Sequence, residues 1–484
     1  MSPLRTLAVA GSLLTLAACT TVGPNYKLPA EAKINAPTAQ GSFLGATSPA
    51  VSQAPVPAGW WKLYDDPTLN GLVEEALAAN TDLRVAAANL ARARAIAGEA
   101  DDAGGFSLET SAGAMHSRAS GEQFLRTEQL PVRNLADVGA KVSYQIDLVG
   151  QLRRAAEAAH ADAEASQAAL DLARVSVAAD VARAYVEACA NGHELTVAQH
   201  TVDLQVRSLD VTRRLVKAGR GTAVDITRSQ ALLDQSRASL PTFQSRRRAA
   251  LYKLAALTGK PPAEFPKAVE ACAHPPTLVQ AIPVGDGAAL LKRRPDVRQA
   301  ERALAGATAR IGVATAALYP NVTLGLGGGS TGLLAHMGQA SANHWSLASL
   351  ISWTLPGEGE RARIRQAEAG ADAALARFDG VVLNALRETE TSLDAYAHDL
   401  QRQAALKAAR DQAQLAENQA QRLYRAGRSP YLAGLDAQRT LAGTEAMLAA
   451  SEAQVAVDQV NLFLALGGGW ETKSAVFQPQ SILK

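Results

Sequence analysis

The stretch Leu215-Val216-Lys217-Ala218-Gly219-Arg220 returns about 208 residues later as Leu423-Tyr424-Arg425-Ala426-Gly427-Arg428. In both copies a glycine stands where one long periodic run stops and another begins, the position a helix terminus reserves for a residue that tolerates a left-handed backbone. Outward from these turns, Asp82-Leu83-Arg84 and its Ala-rich run match Asp296-Val297-Arg298 about 214 residues on, and 254–259 resembles 464–468. Three ordered matches at nearly one offset make the chain a tandem duplication, which constrains the fold before any local pattern is weighed.

Each copy reads in the same order: an Ala-rich helix, a Gly/Ser/Thr-rich interval, a very long helix, a glycine turn and another long helix. The expected helices are 66–100, 150–217 and 223–258 in the first copy, and 287–317, 358–426 and 431–466 in the second. A helix of about 60 residues is about 90 Å long, too long for a compact ball. Leu195, Val202, Leu209 and Val216 recur every seven positions, Val197, Leu204 and Val211 form a second stripe, and Leu441, Leu448, Val455 and Leu462 repeat the pattern. Heptads call for coiled-coil packing, and two displaced stripes on one helix call for neighbours on both sides. A wall or tube of helices and an antiparallel bundle both satisfy that requirement.

The intervals 106–115 (FSLETSAGAM), 138–148 (VGAKVSYQIDL), 321–330 (NVTLGLGGGS) and 345–355 (WSLASLISWTL) alternate loosely and have strand length. Transmembrane β-strands run to about 9–11 residues. Trp345 and Trp353 lie about 26 Å apart along such a strand, a spacing suited to the two membrane interfaces. Barrels in lipid have about eight strands or more, so four from one chain leave open edges; a homotrimer would supply about twelve. A soluble hairpin between helices is the competing reading.

Residues 1–18 read as a secretory signal, with Arg5, an apolar stretch 7–16 and the small Ala17 and Ala18, too short to span a bilayer. Leu16-Ala17-Ala18-Cys19 resembles a lipobox, which would make Cys19 the acylated first residue of a lipoprotein; several acyl chains anchor durably in lipid. Thr20, rather than Asp, follows the cysteine and favours outer-membrane sorting. Residues 20–59 carry six prolines and no sustained period, as an extended tether does. No later stretch offers about 18 uninterrupted apolar residues. The expected division is a signal peptide at 1–18, a lipidated tether at 19–64, a first repeat at 65–270, a second at 271–471 and a tail at 472–484.

Composition agrees. The formal charge is +2 over 484 residues, too balanced for a protein that binds nucleic acid by neutralising phosphates. Aromatics are 5% within a 48% hydrophobic content, so the apolar residues are mainly small ones suited to close helix packing. Cys19, Cys189 and Cys272 form no CxxC, and the latter two can pair or remain free. Residues 327–332 satisfy GxGxxG, yet a likely second strand, not a helix, follows, so they read as a glycine-rich strand or loop. No HExxH, GxSxG or P-loop occurs, and His193 and His200 read as an exposed helix face. No catalytic, metal or cofactor constellation is expected.

The chain also resembles a known family, the outer-membrane efflux factors of TolC and OprM type, and within it the NodT-like lipoproteins. The residues that carry the likeness are the lipobox with Cys19, the run 22–29 (VGPNYKLP), 60–67 (WWKLYDDP), 293–301 (RRPDVRQAE), 318–321 (LYPN) and 464–470 (LALGGGW). The resemblance implies a mainly α protein with a membrane β-barrel: a trimer whose 12-stranded barrel continues as an α-helical periplasmic tunnel. It implies docking onto a periplasmic adaptor and an inner-membrane pump of resistance-nodulation-division type. It points to Gly219, Arg220 and Gly221, and to Gly427, Arg428 and Ser429, as periplasmic tips that contact the adaptor. It places Asp436 in a ring of carboxylates that closes the mouth, with Asp225 at the corresponding place of the first repeat and Ala433 where a second acid usually stands. Three carboxylates around an axis repel one another and attract cations; a helix-start aspartate stabilised by the dipole is the plainer reading of Asp225. The expected function is a passive exit duct for small molecules. The alternatives are a periplasmic coiled-coil adaptor, a structural lipoprotein, or a duct for type I protein secretion.

Overall fold

A computed structural model describes residues 21–278 and 280–468; the expectations for the signal, for Cys19 and for the tail 472–484 lie outside them. The first repeat runs α1 (Pro67–Ala79), α2 (Thr81–Asp102), β1 (Phe106–Ser117), β2 (Arg133–Ile146), α3 (Gln151–Lys217) and α4 (Ala223–Leu257). The second repeats that order as α5 (Gly287–Arg293), α6 (Pro295–Ala316), β3 (Asn321–Leu333), β4 (Asn343–Ser352), α7 (Glu358–Arg425) and α8 (Tyr431–Ala465). At 67 and 68 residues, α3 and α7 are each about 100 Å long.

The helices expected as single elements at 66–100 and 287–317 are each broken, and the causes differ. Asn80 takes an extended backbone, ends α1, and accepts with its Oδ1 from the amides of Asp82 (2.8 Å) and Leu83 (3.3 Å) to start α2. In the second copy Arg294 is extended because Pro295 follows it.

The chain forms two compact units, and each draws on both repeats. One comprises the described residues up to Pro29, then 90–166 and 300–378. Its centre is an antiparallel sheet in the order β1-β2-β3-β4, so the hairpins of the two repeats join edge to edge through β2 and β3. Among the described residues, β1 and β4 pair on one side only. Gly150 and Gly357, with φ of 78° and 79°, turn the chain from strand to long helix in the two copies.

The second unit comprises 30–89, 167–299 and the described residues from Asp379 on. Its core is the middle of α3, where Val177, Ala178, Val181, Ala182, Val186 and Cys189 are buried all round the helix, as a helix enclosed on every side requires. The segment expected as an extended tether is instead folded from residue 30 on. Phe43, Trp60, Trp61 and Tyr64 are buried, Trp60 stacks on Phe463 of α8 at 4.6 Å, and Val51–Ser52 pairs with Ile282–Pro283. Scattered aromatics bury this stretch without helical or strand periodicity, which is why pattern alone misses it.

Candidate channel wall and periplasmic gate

In the sheet, register sorts side chains onto two faces. Phe106, Leu108, Tyr144, Val142, Leu324, Leu326, Leu347 and Trp345 share one face through the pairs Phe106↔Tyr144↔Leu324 and Leu108↔Val142↔Leu326↔Leu347. These are large apolar groups left open: Phe106 is 79% exposed, Leu347 74% and Trp345 80%. Such a face belongs against lipid or another chain. The opposite face is polar. Glu109 stands opposite Lys141, the Ser107 and Ser143 hydroxyls meet at 2.6 Å, and the Thr331 hydroxyl donates to Asp137 Oδ1 at 2.5 Å. Gly325, Gly327 and Gly329 leave this face bare beside Lys141. The GxGxxG stretch therefore lies within β3, paired on both sides. Trp345 sits on the apolar face; Trp353 falls just past β4 and its indole N–H donates to the Leu318 carbonyl at 3.0 Å. Four strands of 10 to 14 residues are long enough to cross a bilayer tilted. Among the described residues, no helix is long and apolar enough to cross one.

The same unit holds the chain that follows Cys19. Arg154, 3% exposed, donates to the carbonyls of Val22 (3.1 Å) and Gly23 (3.2 Å) and to Asn25 Oδ1 (2.7 Å), while the Val22 amide donates to Val149 O at 2.9 Å. Gly23 packs so closely on Gly312 that a Cβ there would lie 2.4 Å from its Cα.

In the other unit the two glycine turns are built identically. Gly219 (φ 71°) donates to Val216 O and Arg220 to Leu215 O; Gly427 (φ 70°) donates to Tyr424 O and Arg428 to Leu423 O. This paired bonding is the Schellman closure of a helix end. The helix starts that follow differ. Thr222 and Asp225 form a capping box in which the Asp225 carboxylate accepts from the Thr222 amide (2.9 Å) and hydroxyl (2.8 Å). Those two donors hold the Asp225 carboxyl below its usual range, the amide first. In the second copy Pro430 takes the N-cap place, and Asp436 is exposed and accepts from Arg439 at 2.8 Å. Asp225 is thus occupied in starting α4, while Asp436 has only its neighbour one turn along.

One contact near the tips ties the first hairpin to the second. The Tyr431 hydroxyl donates to Ser208 O at 3.1 Å and lies 3.1 Å from Ser208 Oγ, with the Tyr431 ring 5.1 Å from that of Tyr424. Neither residue was picked out by sequence, because the pairing joins positions 223 apart.

The RRPD run has a structural task. Arg294 donates to Ala465 O (2.8 Å), to both oxygens of Asp296 and to Glu388 (3.0 Å), and Arg293 donates to Leu466 O. The two arginines therefore satisfy the last carbonyls of α8. At the equivalent place of the first repeat Asn80 Nδ2 donates to Leu257 O at 3.0 Å. Cys189 and Cys272, left open by the sequence, form a disulfide. His193, expected on an exposed face, is instead only 17% exposed, with Nε2 3.3 Å from Glu452 and its ring 4.6 Å from that of His274.

The sequence profile of the outer membrane efflux proteins matches residues 72–260 and again 288–468. The chain belongs to that family. The two matched segments are the two repeats. The efflux protein is 30% identical over 466 residues to nodulation protein T of Rhizobium leguminosarum bv. viciae, covering 96% of this chain and 93% of the relative. It is 30% identical to outer membrane protein OprJ of Pseudomonas aeruginosa over 95% of this chain and 94% of that one. Among solved structures, the outer-membrane channel OprN superposes with a TM-score of 0.85 at 33% identity, over 93% of this chain and 99% of that chain. The open-state MtrE outer membrane channel of Neisseria gonorrhoeae superposes at 0.80 with 27% identity, over 93% and 98%. The resemblance drawn from sequence holds: this is an outer-membrane efflux channel, a duct rather than a catalyst, with the mixed helical and membrane-strand fold of those channels.

Proposed function

We propose that three copies assemble into the exit duct of a tripartite efflux assembly, their strands closing a 12-stranded barrel and their long helices continuing it through the periplasm. The observation that carries this is the two-faced sheet with two unpaired edges: in hydrocarbon its edges demand partners, its apolar face suits lipid and its polar face suits a water-filled lumen. A coiled-coil adaptor or structural lipoprotein has no need of such a sheet.

Cys19 carries the lipid anchor. Val22, held by Arg154, stands three residues on, so the acyl chains reach the membrane within about 10 Å of the strand-to-helix junction. The tips Gly219, Arg220 and Gly221, with Gly427, Arg428 and Ser429, receive a periplasmic adaptor. Asp436 is the gate carboxylate and Asp225 a cap. Energy comes from an inner-membrane pump of resistance-nodulation-division type. The cargo is small molecules: a relative 28% identical is a toluene efflux pump outer membrane protein. The wall favours no one cargo, since glycine and serine dominate its polar face. The test is single-channel recording of the full-length acylated protein in a planar bilayer, wild type beside Asp436→Ala. A low conductance that rises in the variant supports duct and gate together; a folded oligomer that never conducts removes the duct.

A further inference from the structure

Helix α8 carries the second hairpin from its tip into the core, and it is held on two sides by contacts that a proton controls. On the α3 side, His193 Nε2 lies 3.3 Å from Glu452 and His200 Nδ1, two turns along, 3.9 Å from Glu445. The heptad spacing on both helices makes this an antiparallel ladder of two rungs. Each rung is an ion pair only when its imidazole is protonated. On the α7 side, Asp458 is 5% exposed and meets the carboxyl of Asp399, with Gln454 Nε2 donating to Asp458 Oδ1 at 2.9 Å. Two carboxylates can share such a site only if one keeps its proton.

The surrounding charges are few. Around His193 stand Glu194, the ring of His274 and, from α4, Arg247, which donates to the carbonyls of Glu270 and Cys272. Around Asp458 stand Arg402, 3.8 Å from Asp399, and the Tyr396 hydroxyl, which accepts from Gln459. From α3, Arg183 donates to Asn461 at 2.8 Å. Among these described groups, Arg402 on α7 is the cation nearest the carboxyl pair, and it lies on the Asp399 side.

We propose that protonation clasps α8 to both α3 and α7, and that loss of the same protons frees it, so that the second hairpin shifts more readily at neutral than at mildly acidic pH. The two contacts act in the same direction. The His193 imidazole is raised above its ordinary value, chiefly by the bond to Glu452, so its contribution is full below about pH 6.5 and fades as pH climbs through the raised value. Burial, then the bond with Asp399, pushes Asp458 up to about 6; its protonated form is favoured in the packed state, and that packing weakens as pH rises past 6. The consequence for conductance rests on the protein being a duct; the clasp does not.

The experiment is hydrogen exchange on the full-length protein at pH 5.5 and 7.5, after correction for the chemical exchange rate, read on peptides of α8. In the wild type, protection is expected to be about tenfold greater at pH 5.5, within the hundredfold ceiling that a shift of about two units sets. Asp458→Asn with Glu452→Gln should leave protection independent of pH. Should Glu452→Gln not fold, His193→Gln with Asp458→Asn tests the same point. Equal protection of wild-type α8 at both pH values, or an unchanged pH response in the double variant, overturns the clasp. In a planar bilayer the open probability should rise across the same interval and lose that rise in the double variant. A protein that never conducts removes the duct, and exchange still decides the clasp.

Discussion

Tyr431→Phe is the sharpest probe of how the two hairpins are held at the periplasmic mouth. The substitution removes one hydroxyl and leaves the ring beside Tyr424, so packing is retained and only the contacts to Ser208 O and Oγ, both 3.1 Å, are lost. A neutral hydrogen bond contributes about 0.5–1.5 kcal/mol net, and Ser208 O keeps its place in the α3 ladder, so about 1 kcal/mol per chain is a fair estimate. That corresponds to about a fivefold shift between engaged and released hairpins in one chain. Three copies opening together would give about 3 kcal/mol, or about 150-fold. The assay is single-channel recording in a planar bilayer, with open probability compared between wild type, Tyr431→Phe and Ser208→Ala. Ser208→Ala removes only the hydroxyl contact and should produce the smaller rise. If Tyr431→Phe conducts as the wild type does, the Tyr431–Ser208 bond does not restrain the hairpins and the reasoning fails.

Cys272→Ala opens a disulfide that closes 83 residues of sequence, for which chain entropy gives about 4.5 kcal/mol as an upper figure; a fall in guanidinium midpoint is expected, and no change would mean that the pairing does not constrain the unfolded chain. Arg294→Met strips the α8 carbonyl cap and leaves Asp296 and Glu388 without their buried cation, at a cost of about 3 kcal/mol, read as lower thermal stability of the detergent-solubilised protein. Gly427→Ala places a Cβ at φ 70° where no atom lies within 4 Å, so its cost of about 1 kcal/mol is conformational alone and should appear as faster proteolysis at the tip with the fold retained. Asp225→Ala should fray the start of α4 without raising conductance, whereas Asp436→Ala should raise it; the reverse result would exchange the two roles.

Much of the fold is legible in the sequence because its signals are local or repetitive. The duplication, the heptads of α3 and α8 and the strand-length intervals each rest on residues close in the chain, and both glycine turns follow from what a helix end requires of its next backbone. The site is less legible. Asp225 and Asp436 occupy matching places in the repeats, yet only the hydrogen bonds separate them: Thr222 engages the first, and Pro430 has no side-chain oxygen or amide hydrogen to engage the second.

What the sequence by itself determined is the order of elements, their lengths, their two-fold repetition and the apolar-polar alternation of the strands, because each depends on a period of two, of seven or of one repeat. What only the tertiary structure decided are the pairings across that order: the disulfide from α3 to Cys272, the arginines at the end of α8, Trp60 against Phe463, Tyr431 against Ser208, and the histidine and aspartate contacts on both sides of α8. These join residues tens to hundreds of positions apart, and no periodicity in a chain encodes which distant side chain will fill a given gap. Packing selects the partner once the long helices lie side by side.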